Sequence, residues 1–245
     1  MKTNWKIIAL FLTSALFAFA SCRPDNMDEG DPATKEMTEE DALDIIEISL
    51  SDESGGLSKE AEQAAVIADD YAQKSLLDSP CGQEKDTSFV YEYNGTLAQA
   101  SYSTGSTFVL NCNDLDIPVS MDYTSQTTGS YTGQVMTSSD SGQSSWNLDN
   151  LTIGTDYILN GTYTRSGSQA SLVRNQNAFT SQLDMSFENI NINKGNHKID
   201  SGLITYTLTA ELEGGGNYTF EGTIVLLGNS SADVIINGTT YHLAW

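Results

Sequence analysis

Residues 203–212 read LITYTLTAEL. Ile204, Tyr206, Leu208, Ala210 and Leu212 fall on one face of an extended chain, and Thr205, Thr207 and Thr209 on the other. Successive side chains of a pleated strand point to opposite faces, so this period of two specifies a half-buried antiparallel strand. Similar runs occur at 88–93, 117–123, 155–163, 183–192, 217–227 and 239–245, and no helical period returns after residue 86. Asn-Gly pairs at 94–95, 160–161 and 237–238 read as two-residue hairpins, and Gly105, Gly129, Gly142 and Gly214–Gly216 as further turns. The spacing predicts about 11 to 13 strands over residues 86–245, arranged as a large antiparallel meander. A curved sheet, a half-barrel and a sandwich all satisfy it.

Upstream of the strands the period changes. Thr38-Glu39-Glu40-Asp41 has the form of a capping box, with Asp at the third helical position, and Ala42, Leu43, Ile45, Ile46 and Leu50 follow on one face. Gly55-Gly56 reads as the stop. Ser58 reads as the cap of a second helix, whose Ala61, Ala64, Ala65, Ala68, Tyr71 and Ala72 step by three and four until Asp78-Ser79-Pro80. Small residues let helices sit close, so residues 38–80 are expected to form an αα-hairpin packed on the sheet, with its acidic side solvated. The fold class is therefore α+β, mainly β.

The chain opens with Lys2 and Lys6, followed by an uncharged apolar run from Ile7 to Ala20, then Ser21 and Cys22, then Arg23-Pro24-Asp25. The apolar run has the length of a secretory h-region and is short for a membrane span. The stretch Phe19-Ala20-Ser21-Cys22 resembles the lipobox of bacterial lipoproteins, in Gram-negative cells a bulky apolar residue, two small ones and the cysteine that is acylated. The resemblance covers residues 1–22. It implies a signal peptide over 1–21, diacylglycerol and palmitate on Cys22, and, because Arg23 rather than Asp follows, an outer-membrane destination facing the periplasm or the medium. Residues 22–37, charged and with two prolines, read as a disordered tether.

The mature chain would carry nine Lys and Arg against 33 Asp and Glu, which argues against nucleic acid and anionic headgroups as partners. Residues 23–86 hold 19 of the acids, and residues 87–245 hold 14 acids and four bases. After Cys22 two cysteines remain, Cys81 and Cys112, an even number that in an exported chain points to a disulfide.

Catalytic and metal chemistry is sparse. His197 lies in a turn and His242 in the last strand, each without a second His or Cys at ligand spacing, and no Gly-x-Ser-x-Gly elbow is present. The run Asn111-Cys112-Asn113-Asp114-Leu115-Asp116 is dense in oxygen ligands but lacks the glycine and terminal glutamate of an EF-hand, and reads as a polar loop. Trp146, among Ser144, Ser145 and Asn147, is either a core aromatic or part of a sugar-stacking face. The ending Tyr241-His242-Leu243-Ala244-Trp245 is similar to the terminal strand of outer-membrane barrels, but Thr239 and Asn237 fall where that signal needs apolar residues.

No catalytic constellation and no cofactor is expected. The reading is a non-enzymatic, lipid-anchored binding module, with an apolar ligand, a glycan or a protein as its partner. An apolar ligand would sit between helices and sheet. In outline this is similar to the periplasmic lipoprotein carriers and their receptors, which place helices against a half-open antiparallel barrel. The alternative is a surface adhesin or glycan-binding accessory protein; an integral barrel and an enzyme rank lower.

Overall fold

The computed structural model describes residues 36–74 and 81–245; Cys22, the lipobox, nearly all of the tether and Asp78-Ser79-Pro80 lie outside them. Two helices, α1 (Glu39–Leu50) and α2 (Leu57–Lys74), precede ten strands: β1 (Glu84–Asn94), β2 (Gln99–Cys112), β3 (Pro118–Thr132), β4 (Met136–Asp149), β5 (Asp156–Ser171), β6 (Ala178–Asn193), β7 (Ile199–Leu212), β8 (Asn217–Gly228), β9 (Ser231–Ile236) and β10 (Thr239–Ala244). All ten form one antiparallel sheet in chain order, with β1 and β10 as its open edges. The expected α+β meander is the observed fold, and it is not closed into a barrel. No helix among the described residues is long and apolar enough to cross a membrane.

The strands are fewer and longer than the sequence spacing predicts. Gly105, Gly129 and Gly142 are not turns but lie inside β2, β3 and β4. At Gly129 the reason is packing, because a Cβ there would stand 2.4 Å from the Tyr102 ring. Of the three Asn-Gly pairs only Asn237-Gly238 makes the two-residue hairpin, with φ of 50° and 84°. Asn94-Gly95 opens a longer connection. Asn160-Gly161 is a bulge within β5, where Gly161 has φ 142° and a Cβ would stand 2.2 Å from the Ser145 carbonyl oxygen.

Thr38 and Asp41 form the reciprocal capping box. Ser58, read as a cap, is instead the second residue of α2, and the Gly56 carbonyl accepts from Lys59 N and Glu60 N. Helix α1 ends at Leu50, before the glycines, and Gly55 takes a left-handed φ of 61° in the connection.

The helix pair touches both edges of the sheet, through Tyr93 on β1, which donates to Glu53, and Tyr241 on β10, which donates to Glu39. A flat sheet of ten strands would hold its edges about 43 Å apart, whereas α1 is about 18 Å long. The sheet therefore curves around the helices. Ala42, Ile46 and Leu50 of α1 have no exposure, and α1 packs as a central element of the core.

Candidate functional site

The inner face is chemically divided. Toward β6–β9 it is apolar, with Leu183, Ile204, Leu208, Ile224 and Val234 fully buried. Toward β2–β5 it carries buried Thr104, Ser106, Ser125, Thr127, Asp140, Ser144 and Arg165. Buried polar groups must be paired or they destabilise the fold, so each needs a partner.

Arg165 organises the upper part of this polar half. Its Nη1 donates to the Ile48 carbonyl (2.9 Å) and its Nη2 to Asp140 (3.0 Å), the Tyr102 hydroxyl (2.6 Å) and the Ser54 carbonyl (3.2 Å). Burial is the largest single influence and disfavours the guanidinium charge, but Asp140, Tyr163 and Tyr102 together outweigh it and raise the Arg165 pKa. Burial also pushes Tyr102 up to about 12. The last turn of α1 has no basic residue of its own, so Arg165 supplies, from the sheet, the cation that complements the helix C-terminus.

Below it stands Glu60 of α2, 2% exposed. Its Oε1 accepts from Ser125 and Ser144 (2.8 Å for the latter), and desolvation raises its pKa against those hydroxyls and Arg165. Oε2, together with Ser106 Oγ and Tyr123 OH, is buried without a hydrogen-bond partner. The acidic side of α2 is thus not simply solvated. Besides buried Glu60, Glu62 pairs with Lys198 (3.1 Å), and Asp69 accepts from Tyr157 and contacts His197 Nε2 (2.9 Å). Helix α1 is held likewise, by Arg174 on Asp41 and Asp44. Three of the four bases after residue 86 thus hold the helix pair.

The other residues that the sequence singles out are dispersed. Cys81 and Cys112 lie at disulfide distance, with Cα atoms 5.7 Å apart, and tie the approach to β1 to the end of β2. His197 is in the β6–β7 turn but contacts α2, and His242 pairs with Asp233 across β9–β10 (2.8 Å). Asn113 Oδ1 accepts from the backbone of Leu115 and Ile117, which makes 113–117 a self-capped polar loop. Trp146 is a core residue, stacked on Tyr123 with ring centroids 5.3 Å apart. Arg165 and Glu60 carry no local sequence signal of a site: Arg165 lies beside Thr164, Ser166 and Gly167, and Glu60 between Lys59 and Ala61.

The outward face is different. Every Phe, Tyr and Trp of the ten strands lies on the inner side, and the outer side of β2–β6 is dominated by Ser, Thr, Asn and Gln. A hollow of about 690 Å³ opens there over β1–β4, lined among others by Asp86, Ser103, Gly105, Thr107, Gln126 and Gln143. A second, of about 700 Å³, lies toward the β7–β8 turn and is more apolar, with Ala170, Ala178, Phe179 and Leu212 beside Thr137 and Thr180. The β1–β4 hollow suits a polar ligand held by hydrogen bonds and has no ring in its lining on which a sugar could stack. The chain matches no protein-family model, no curated protein and no solved structure.

Proposed function

We propose that the chain is a lipid-anchored, non-enzymatic binding module of the cell envelope, fastened by Cys22, that meets a polar ligand or protein partner on the outward face of its sheet. One observation carries the choice of face. The space between helices and sheet is filled by α1, whose Ala42, Ile46 and Leu50 are fully buried, whereas the outer face offers an open polar hollow over β1–β4 and a second, more apolar one by the β7–β8 turn. An apolar ligand between helices and sheet would have to displace α1. The glycan-binding alternative is favoured by the hydroxyl and amide lining, with recognition by hydrogen bonds instead of ring stacking.

Two outcomes test this. Cys22→Ser is expected to move the protein from the membrane fraction to the soluble periplasmic fraction and to abolish palmitate labelling, since a chain bearing no acyl group loses the anchor's apolar burial. Retention of labelled, membrane-bound protein in that variant defeats the anchor reading. Gly105→Trp fills the β1–β4 hollow at low structural cost, because a Cβ at Gly105 would meet no atom within 4 Å. Binding to purified envelope polysaccharides or proteins, measured by calorimetry, is expected to weaken at least about tenfold with the melting temperature unchanged. A lipid that instead co-purifies with the native protein and extracts into organic solvent would place the ligand between helices and sheet.

A further inference from the structure

We propose that Glu60 is a proton-operated latch. Carrying a proton, it seats the first turns of α2 on the hydroxyl-lined half of the inner face; when the proton leaves to solvent, those turns withdraw and bare it. The inference stands apart from the choice of binding face made above.

The geometry is a nest built across three strands. Ser106, Ser125 and Ser144 are direct neighbours in the β2–β3 and β3–β4 registers, and Tyr123 is the next inward residue of β3. Glu60 enters this nest from α2. An ionised carboxylate accepts hydrogen bonds and cannot donate, and only Ser125 and Ser144 donate to it, both to Oε1. Protonated, Oε2 becomes a donor in a cluster whose Ser106 and Tyr123 oxygens are also without partners. The neutral acid thus suits the nest and the anion does not.

The charged and titratable groups around it do not compensate the anion. Arg165 of β5 acts on Glu60 but is committed to Asp140, Tyr102 and two carbonyls. Tyr123 of β3 and Tyr163 of β5 are raised by burial and further by the Glu60 charge. On α2 itself, Lys59 lies over the Tyr91 ring and Glu62 pairs with Lys59 and Lys198. Glu60 is held above the ordinary carboxylate range of 4.5 by burial. Its folded pKa exceeds its unfolded one, so its stabilising effect is complete below that ordinary value and is lost as pH rises through the raised one. The left-handed Gly55 in the connection before α2 offers the hinge, while Arg165 keeps hold of the end of α1.

The test is amide hydrogen exchange, corrected for the intrinsic pH dependence, on the full mature chain with Cys22→Ser from pH 5 to pH 9. Protection of amides 57–65 is expected to fall by up to about tenfold for each pH unit between the ordinary carboxylate value and the raised Glu60 pKa and to level off above it, while amides 183–187 and 204–208 of β6 and β7 keep theirs. In Glu60→Gln, which keeps the shape and cannot ionise, protection of 57–65 is expected to be independent of pH. Three results overturn the latch: no pH dependence in the parent chain, an equal fall in Glu60→Gln, or a loss shared by β6 and β7, which would mean global unfolding. If Glu60→Gln does not fold, Glu60→Met serves as the non-ionising comparison, and the parent chain's own β6–β7 amides still separate local release from unfolding.

Discussion

Replacing Arg165 with Met is expected to destabilise the domain by about 3–5 kcal/mol at neutral pH, the usual consequence of removing one partner of a buried ion pair. The substitution preserves much of the side-chain volume, so the loss is electrostatic. Asp140 would remain in the core with only the Tyr102 hydroxyl at 3.4 Å, and the Ser54 carbonyl would lose the donor that Arg165 supplies. A chain of this size should then melt roughly 10 °C lower. Denaturant unfolding of Arg165→Met, Asp140→Asn and the double variant checks the cause. The double variant is expected to lose clearly less than the two singles together, because removing both charges leaves neither one buried alone. Additive losses would show that the pair is not coupled. Exchange of the α1 amides should accelerate more than that of β7, since Arg165 is what joins the end of α1 to the sheet.

The second large effect is expected at Cys81 and Cys112. They are 31 residues apart, and closing such a loop restricts the unfolded chain by about 3.5 kcal/mol on the chain-entropy estimate. Cys112→Ser should lower stability by about that amount, and adding reductant to the parent chain should do the same. Reductant should leave Cys112→Ser unchanged. The local consequence follows from topology. Strand β1 is an edge paired only with β2, and Cys81 with its bridge to Leu110 pins its entry. Amides of β1 should therefore exchange faster in the variant, ahead of those in β4 to β7. A reduced parent chain as stable as the oxidised one would deny the bond any structural part.

How far the sequence reaches depends on the range of each signal. The strand at 203–212 was legible because alternation is a property of neighbours, and β7 spans Ile199–Leu212. The capping box at Thr38 was legible for the same reason. Glycines were misread where they relieve contacts made by residues distant in sequence, such as Tyr102 on Gly129 and the Ser145 carbonyl on Gly161, and this merged predicted short strands into long ones. The acidic helices looked solvated because their partners are far along the chain: Ser144 is 84 residues from Glu60, and Arg165 is 117 from Ile48.

By itself, then, the sequence determined the class of the protein: two helices ahead of a long antiparallel meander, and which residues of each strand share a face. Those are consequences of backbone geometry that a few adjacent residues settle. Tertiary structure alone decided that the sheet curves around α1 without closing, that Trp146 is core, and that Arg165 and Glu60 enter the polar half of the inner face. Whether a charge is buried or bathed in water depends on what the rest of the chain brings over it, and no local pattern carries that information.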